Sequence, residues 1–155
     1  MDNQQIEQTI RSYLPQVIHM SLATVADNKP WVCELHYAYD DELNIYWMSA
    51  QQVRHSREVA ANPQVAGNVV TQHHLQQLVR GVYFEGRAEM LAEVDENSTA
   101  YKVYSTRFGD RAAAILPAYQ DAEGPRIYKL TVSDFYLVDG MTTGKPQKLH
   151  LPWKQ

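Results

Sequence analysis

The chain has 155 residues, 45% hydrophobic and 21% charged, with a formal net charge of −4; this size and balance suit one globular domain with a single core. A mildly acidic chain without a long basic run makes nucleic acid a poor partner, and no apolar stretch approaches the roughly 20 residues needed to cross a bilayer. A single cysteine, Cys33, rules out an internal disulfide framework, and the polar N-terminus MDNQQIEQTI lacks the layout of a signal peptide, so a cytoplasmic protein is expected.

Ile6, Ile10 and Leu14 are spaced by four and predict a short helix ending near Pro15. VIHMSLATVA, WVCELHYAYDD and LNIYWMS follow as three β-branched or aromatic-rich runs. Turns at Asp27–Pro30 and Asp40–Glu42 join them into an expected antiparallel meander. VRHSREVAANP predicts a helix stopped by Asn62-Pro63. QVAGNVVT resumes extended structure, with Gly67 a candidate bulge. TQHHLQQ forms a polar turn in which His73 and His74 are exposed. VRGVYFEGRAEMLAE predicts a long strand broken at Gly81 and Gly86.

DENSTAYKVYSTRFGDRAAAIL has helical character, interrupted at Gly109, and Tyr101, Tyr104 and Phe108 share its core face. Arg107 and Arg111, near Phe108-Gly109-Asp110, form either a second basic patch or, as is expected, a surface ion pair with Asp110. RIYKLTVSDFYLVDG is the last clear strand, and the tail MTTGKPQKLHLPWKQ reads as irregular. Six or seven strands with about three helices, in strand-dominated order, predict a mainly β (α+β) fold: one domain over residues 1–155, an antiparallel barrel with flanking helices. Ten tyrosines and three tryptophans are generous for this length and compatible with a dimer. Tyr37, Tyr39, Tyr46 and Trp47 are expected in core and interface packing.

Few reaction signatures are present. HExxH and CxxC are missing, and His73 and His74, as neighbours, cannot chelate from one face of a strand, so no metal site is expected. Cys33 and His36 stand three apart on one strand, hence on opposite faces, which argues against thiol catalysis. Neither GxGxxG nor a Walker signature occurs. Arg54 and His55 are the anomaly: they open a helix, the end that carries partial positive charge and free N–H donors. Either this is a solvated helix start, or a bound phosphate reverses the local field and draws in the N–H groups, Arg54, His55 and the Ser49 hydroxyl. Arg57 joins that cluster, pairs with Glu58 or faces solvent.

SLATVADNKPWVCELHYAYDDELNIYWMS followed by VRHSREVAANPQVAGNVV resembles the FMN-binding split-barrel superfamily of pyridoxamine 5'-phosphate oxidase, in a small, largely uncharacterised branch. Ser49, Arg54, His55, Asn62 and Pro63 fit the family spacing S/T-x-x-x-x-R/K-R/K-x-x-x-x-x-x-N-P, and RGVYFEGRAEML fits its later strand. The resemblance implies a six- to seven-stranded split barrel, homodimeric, with FMN at the subunit interface. Cys33, Glu34, Leu35 and His36 would run along the flavin, mostly through backbone contacts. Met48 and Ser49 would lie beside the flavin or its ribityl chain, Arg54 and His55 would hold the phosphate, and Gly81 would offer its backbone. His36 is the candidate acid or base because its ordinary pKa lies near neutrality.

This chain carries Cys33 and Ala38 where the oxidase has arginine and lysine, and His55 where it has lysine. Lys145, Lys148 and His150 do not reproduce the family's C-terminal W-x-G-x-x-x-R-L-H segment. The implied function is therefore an oxidoreductase passing electrons between FMN and a small molecule other than pyridoxamine phosphate. The alternative is a non-enzymatic module of the same fold that holds a flavin, haem or another planar ligand.

Overall fold

The computed structural model describes residues 1–71, 74–77, 79–140 and 145–152. Helix α1 (Asn3–Tyr13) opens with a capping box in which Asp2 and Gln5 exchange side-chain-to-backbone hydrogen bonds of 2.8 and 2.9 Å. Its apolar stripe buries Ile6, Ile10 and Tyr13, and a short 3₁₀ turn follows at Leu14–Gln16. Strands β1 (His19–Ala26) and β2 (Lys29–His36) form a hairpin with Ala26 opposite Lys29. Asp27 and Asn28 turn it with φ of 51° and 58°, the pair of left-handed residues a tight two-residue hairpin requires.

The expected three-strand meander is corrected at Tyr37. The run WVCELHYAY divides there into β2 and β3 (Ala38–Tyr39), and β3 pairs with β4 (Ile45–Ser49), not with β1. Tyr37 is fully buried and its hydroxyl donates to the Leu14 carbonyl at 2.7 Å, which turns the chain inward. Helix α2 (Arg54–Ala61) leads to β5 (Gln64–Val70) and β6 (Arg80–Met90). Helix α3 (Thr99–Phe108), a 3₁₀ stretch at Gly109–Ala114 and α4 (Ile115–Ala118) precede the 14-residue β7 (Arg126–Asp139). The described part of the tail is not irregular as expected: β8 (Gln147–His150) pairs with β7. Gln72, His73, Leu78, 141–144 and 153–155 lie outside the described residues, so the expectation for His73 does too.

The strands join one antiparallel sheet in the order β2-β1-β5-β6-β7-β4-β3, with β8 beside the far half of β7. The two terminal strands of that order, β2 and β3, are separated in the chain by Tyr37 alone, so the sheet has to curl until its ends meet. The result is a split antiparallel barrel with flanking helices. Its interior is filled by Trp47, Phe84, Phe135 and their aliphatic neighbours. A second cluster, including Tyr46, Ile127, Tyr104 and Ile115, sits between the outer face of the sheet and α3–α4.

Two glycine expectations are corrected. Gly67 is in regular register between Leu22 and Phe84, and its missing side chain leaves room for the Phe84 ring, which a Cβ would meet at 2.6 Å. The bulge lies at Glu85/Gly86 instead, where Ser133 of β7 is the extra residue. Gly81 does not break β6.

Candidate functional site

The chain leaves β4 at Ser49, and the next turn is anchored by its glutamines. Gln51 donates to the carbonyls of Ala122 and Gly124, and Gln52 to Glu123. Val53, extended at φ −72° and ψ 158°, then starts α2 without any side-chain cap. The first N–H groups of the helix therefore point outward with no intrahelical acceptor.

Beside them Ser49 Oγ and His55 Nε2 share a hydrogen bond of 2.8 Å. Burial pushes the His55 pKa down, opposed by the nearby Glu58 carboxylate, so the imidazole is neutral at neutral pH. Arg54 is not free either. Its Nε contacts Glu58 Oε1 at 2.7 Å, and its guanidinium lies 4.3 Å from the centre of the Trp31 ring. The other Glu58 oxygen accepts the Thr24 hydroxyl. Hydrogen bonds from Thr24 and then Arg54 hold the Glu58 carboxyl below its ordinary pKa. Arg54, and not Arg57, is thus the partner of Glu58.

Among the described residues, strand β2 ends the sheet order and pairs with β1 alone, which leaves its outer edge of backbone groups open. Cys33 is half-buried, and burial, then Glu34 and Glu58, push its thiol up to about 11. It stays protonated at neutral pH, which leaves it a weak nucleophile. Glu34 accepts the Ser21 hydroxyl, and Leu35 packs against the interior. His36 lies opposite His19, their rings stacked at 4.5 Å, with the Phe108 ring at 5.8 Å. Burial, then the charges of His19, Arg111 and Arg107, hold the His36 pKa below its ordinary value.

The structure brings Ser49, Arg54 and His55 to one corner, with Cys33 close enough to feel Glu58. Met48 points to the opposite face of β4 from Ser49 and packs in the α3–α4 cluster. Gly81 is flanked by Val70 and Val138 inside the sheet, apart from that corner within this chain. Thr24, Trp31 and Glu58 complete the corner and were not singled out as site residues from sequence. The four-residue spacing of Arg54 and Glu58 is a readable signal; Thr24, on another strand, has none. The expected Arg107–Asp110 ion pair does not form: Arg107 donates to the Leu14 and Val17 carbonyls and stacks on Tyr37 at 4.7 Å. Among the described residues, no group of three or more His, Cys, Asp or Glu side chains gathers as for a metal.

A curled antiparallel sheet split along Tyr37, with an uncapped helix start beside its open edge strand, defines the split-barrel class. The chain belongs to the pyridoxamine 5'-phosphate oxidase family, whose model matches residues 6–139. A UPF0306 protein of Yersinia pestis bv. Antiqua (strain Angola) is 28% identical over 112 residues, covering 72% of this chain and 76% of that protein. Among solved structures, a heme binding protein from Mycobacterium smegmatis is similar with a TM-score of 0.71 at 19% identity, covering 90% of this chain and 55% of that one. HutZ, the heme storage protein from Vibrio cholerae, is similar with a TM-score of 0.63 at 21% identity, covering 81% and 89%.

Proposed function

We propose that the chain works as a homodimer that binds FMN and passes electrons between it and a small molecule. The observation that carries this reading is the corner at α2, where an uncapped helix start, Ser49, His55 and Arg54 converge beside an open strand edge. Hydroxyl, imidazole, guanidinium and free N–H groups are the donor set a phosphate monoester requires, so the residues fit the group. Bound FMN would supply the redox chemistry; the protein orients and tunes it.

In this reading the helix N–H groups and Ser49 bind the phosphate, and His55 takes up a proton beside it. Arg54 exchanges its contact with Glu58 for one with the anion. The open edge of β2 at Cys33–His36 offers backbone donors and acceptors to the ring system, with Met48 and Gly81 supplied from other elements or the second copy. His36, held neutral, would take at an imidazole nitrogen the proton that the small molecule gives up as it is oxidised. A fluorescence titration with FMN tests the proposal: saturable quenching that weakens in Arg54→Ala supports it, and no binding at any accessible concentration overturns it.

A second reading, a non-catalytic haem-holding module, is favoured by one feature. The stacked His19–His36 pair offers imidazole ligands to iron, and Arg111 and Arg107 act on His36 electrostatically. The two neighbours above are named for heme. A Soret band that appears on adding hemin and disappears in His36→Ala would support this reading over the flavin.

A further inference from the structure

Away from that corner, a cleft of about 780 Å³ opens between α3 and the turn joining β3 to β4. Its volume lies within the range typical of small-molecule sites. Thr99, Lys102, Val103, Thr106 and Arg107 of α3 line the cleft along two adjacent rows, Lys102 and Thr106 in one and Thr99, Val103 and Arg107 in the other, because positions four apart stack along a helix. Lys129 of β7 adds a third cation, and Asp41 and Glu42 form the opposing wall. Among the described residues, no ion pair within 4.0 Å joins Lys102, Arg107 or Lys129 to Asp40, Asp41 or Glu42.

Opposite charges facing one another across a gap would close it if the walls were free to move. The backbone of both walls is held in place. Asp40 is buried, and its two oxygens accept the N–H groups of Glu42 and Asn44, the Asn44 amide and the Tyr46 hydroxyl. Arg11 donates to the Asp41 carbonyl, which ties the turn to α1. The α3 wall is held by Arg107, whose terminal nitrogen is spent on the carbonyls of Leu14 and Val17 and whose plane lies over Tyr37 and Tyr39. The Arg107 Nε is inaccessible to solvent and has no partner. Among the described residues Lys102 and Lys129 therefore remain the two cleft cations with no ion pair within 4.0 Å, Asp95 acting on Lys102 only at longer range. Glu89, opposite Lys129 on β6, makes no ion pair with it.

We propose that this cleft binds a small zwitterion, an amine that also carries a carboxylate. Its ammonium meets Asp41 and Glu42, and its carboxylate meets Lys102 and Lys129. Walls of opposite sign on a held backbone favour a ligand bearing both charges over either ion alone, since each monoion leaves one wall unanswered. The site does not involve α2 or the flavin corner and stands independently of FMN.

The test uses 6-aminohexanoate as probe, with hexanoate and hexylamine as its single-charge halves, followed by amide chemical shifts of the full chain. The zwitterion should shift the amides of 40–42 and 102–107, and each half should bind about tenfold or more weakly, the loss of one charged contact. Lys129→Gln and Asp41→Asn should each weaken the probe to the level of the matching half. Asp41 is exposed, so that variant leaves the core untouched. Equal binding of the zwitterion and a monoion, unchanged binding in both variants, or no shift at these amides overturns the proposal.

Discussion

Arg54 and Glu58, one turn apart on α2, are joined Nε to Oε1 at 2.7 Å with the arginine nearer the helix N-terminus. That polarity is the less favourable one for an i, i+4 pair, because the arginine faces the positive end of the helix dipole. The Trp31 ring against Arg54 and the Thr24 hydroxyl on Glu58 compensate. A pair held in this orientation leaves the cation beside free N–H groups, where an incoming dianion competes with Glu58 for it.

Two substitutions should move FMN affinity in opposite directions. Arg54→Ala removes a charge-assisted contact and should weaken FMN by about 1.5–3 kcal/mol. Glu58→Gln removes the competitor and a repulsive charge and should strengthen FMN binding. Fluorescence titration reads both; an Arg54→Ala protein with unchanged affinity takes Arg54 out of the site.

His55 and His36 both have pKa values pushed below the ordinary 6.5, chiefly by burial. The sign follows from linkage: below 6.5 the unfolded chain takes up protons that the folded chain refuses, so folding stability falls with pH in that window. The contribution is intact above the unfolded value and is lost as pH drops through the folded values. Urea midpoints measured from about pH 7.5 to pH 5.5 should decline, and less steeply in His55→Gln. Phosphate affinity should run the other way near neutrality: a bound dianion favours the imidazolium, so FMN should bind more tightly as pH falls from about 7.5 to about 6.5, until the phosphate's own second ionisation at about pH 6 removes the dianion.

The parts of this fold legible in sequence are those set by local periodicity. The α1 stripe, the Asp27–Asn28 turn and the Asn62-Pro63 stop of α2 each follow from nearest neighbours along the chain. The division at Tyr37 does not, because WVCELHYAY is a continuous strand pattern and only the burial of Tyr37 under Leu14 bends it. Strand β8 was also hidden. QKLH has no β-branched residue, and the strand forms because β7 has a free edge, Leu149 is fully buried, and Asp134 receives both Lys148 and His150. At the corner, order along the chain points to Ser49, Arg54 and His55, whereas Thr24 reaches Glu58 only through the curl of the sheet.

Gly86 is a stringent position. A Cβ there would lie 2.2 Å from the Thr131 carbonyl oxygen and 2.9 Å from the Val132 Cα, both backbone atoms that cannot rotate away. Gly86→Ala should destabilise the protein by about 1–3 kcal/mol through overpacking at the bulge. A urea denaturation curve with an unshifted midpoint would mean that the β6–β7 ladder yields more easily than the register implies.

The open edge of β2 carries the last prediction. Trp31 and Val32 are 40% and 59% exposed, neighbours on a strand whose outer backbone groups have no partner strand among the described residues. An aromatic and a β-branched side chain on an uncovered edge are what a second copy would cover, and a lysine is the residue that natural edges use to prevent such pairing. Val32→Lys should therefore convert the proposed dimer to a monomer in light scattering at micromolar concentration. The high exposure of Val32 means that the monomer should keep the wild-type far-UV circular dichroism spectrum and a cooperative melt, with a midpoint lowered only by the lost assembly, which separates lost assembly from lost folding. FMN affinity should fall in the same variant, because a cofactor held between copies loses half of its contacts when they part. A dimer that survives Val32→Lys with FMN affinity intact would put the subunit contact on a different face and detach the flavin from the β2 edge.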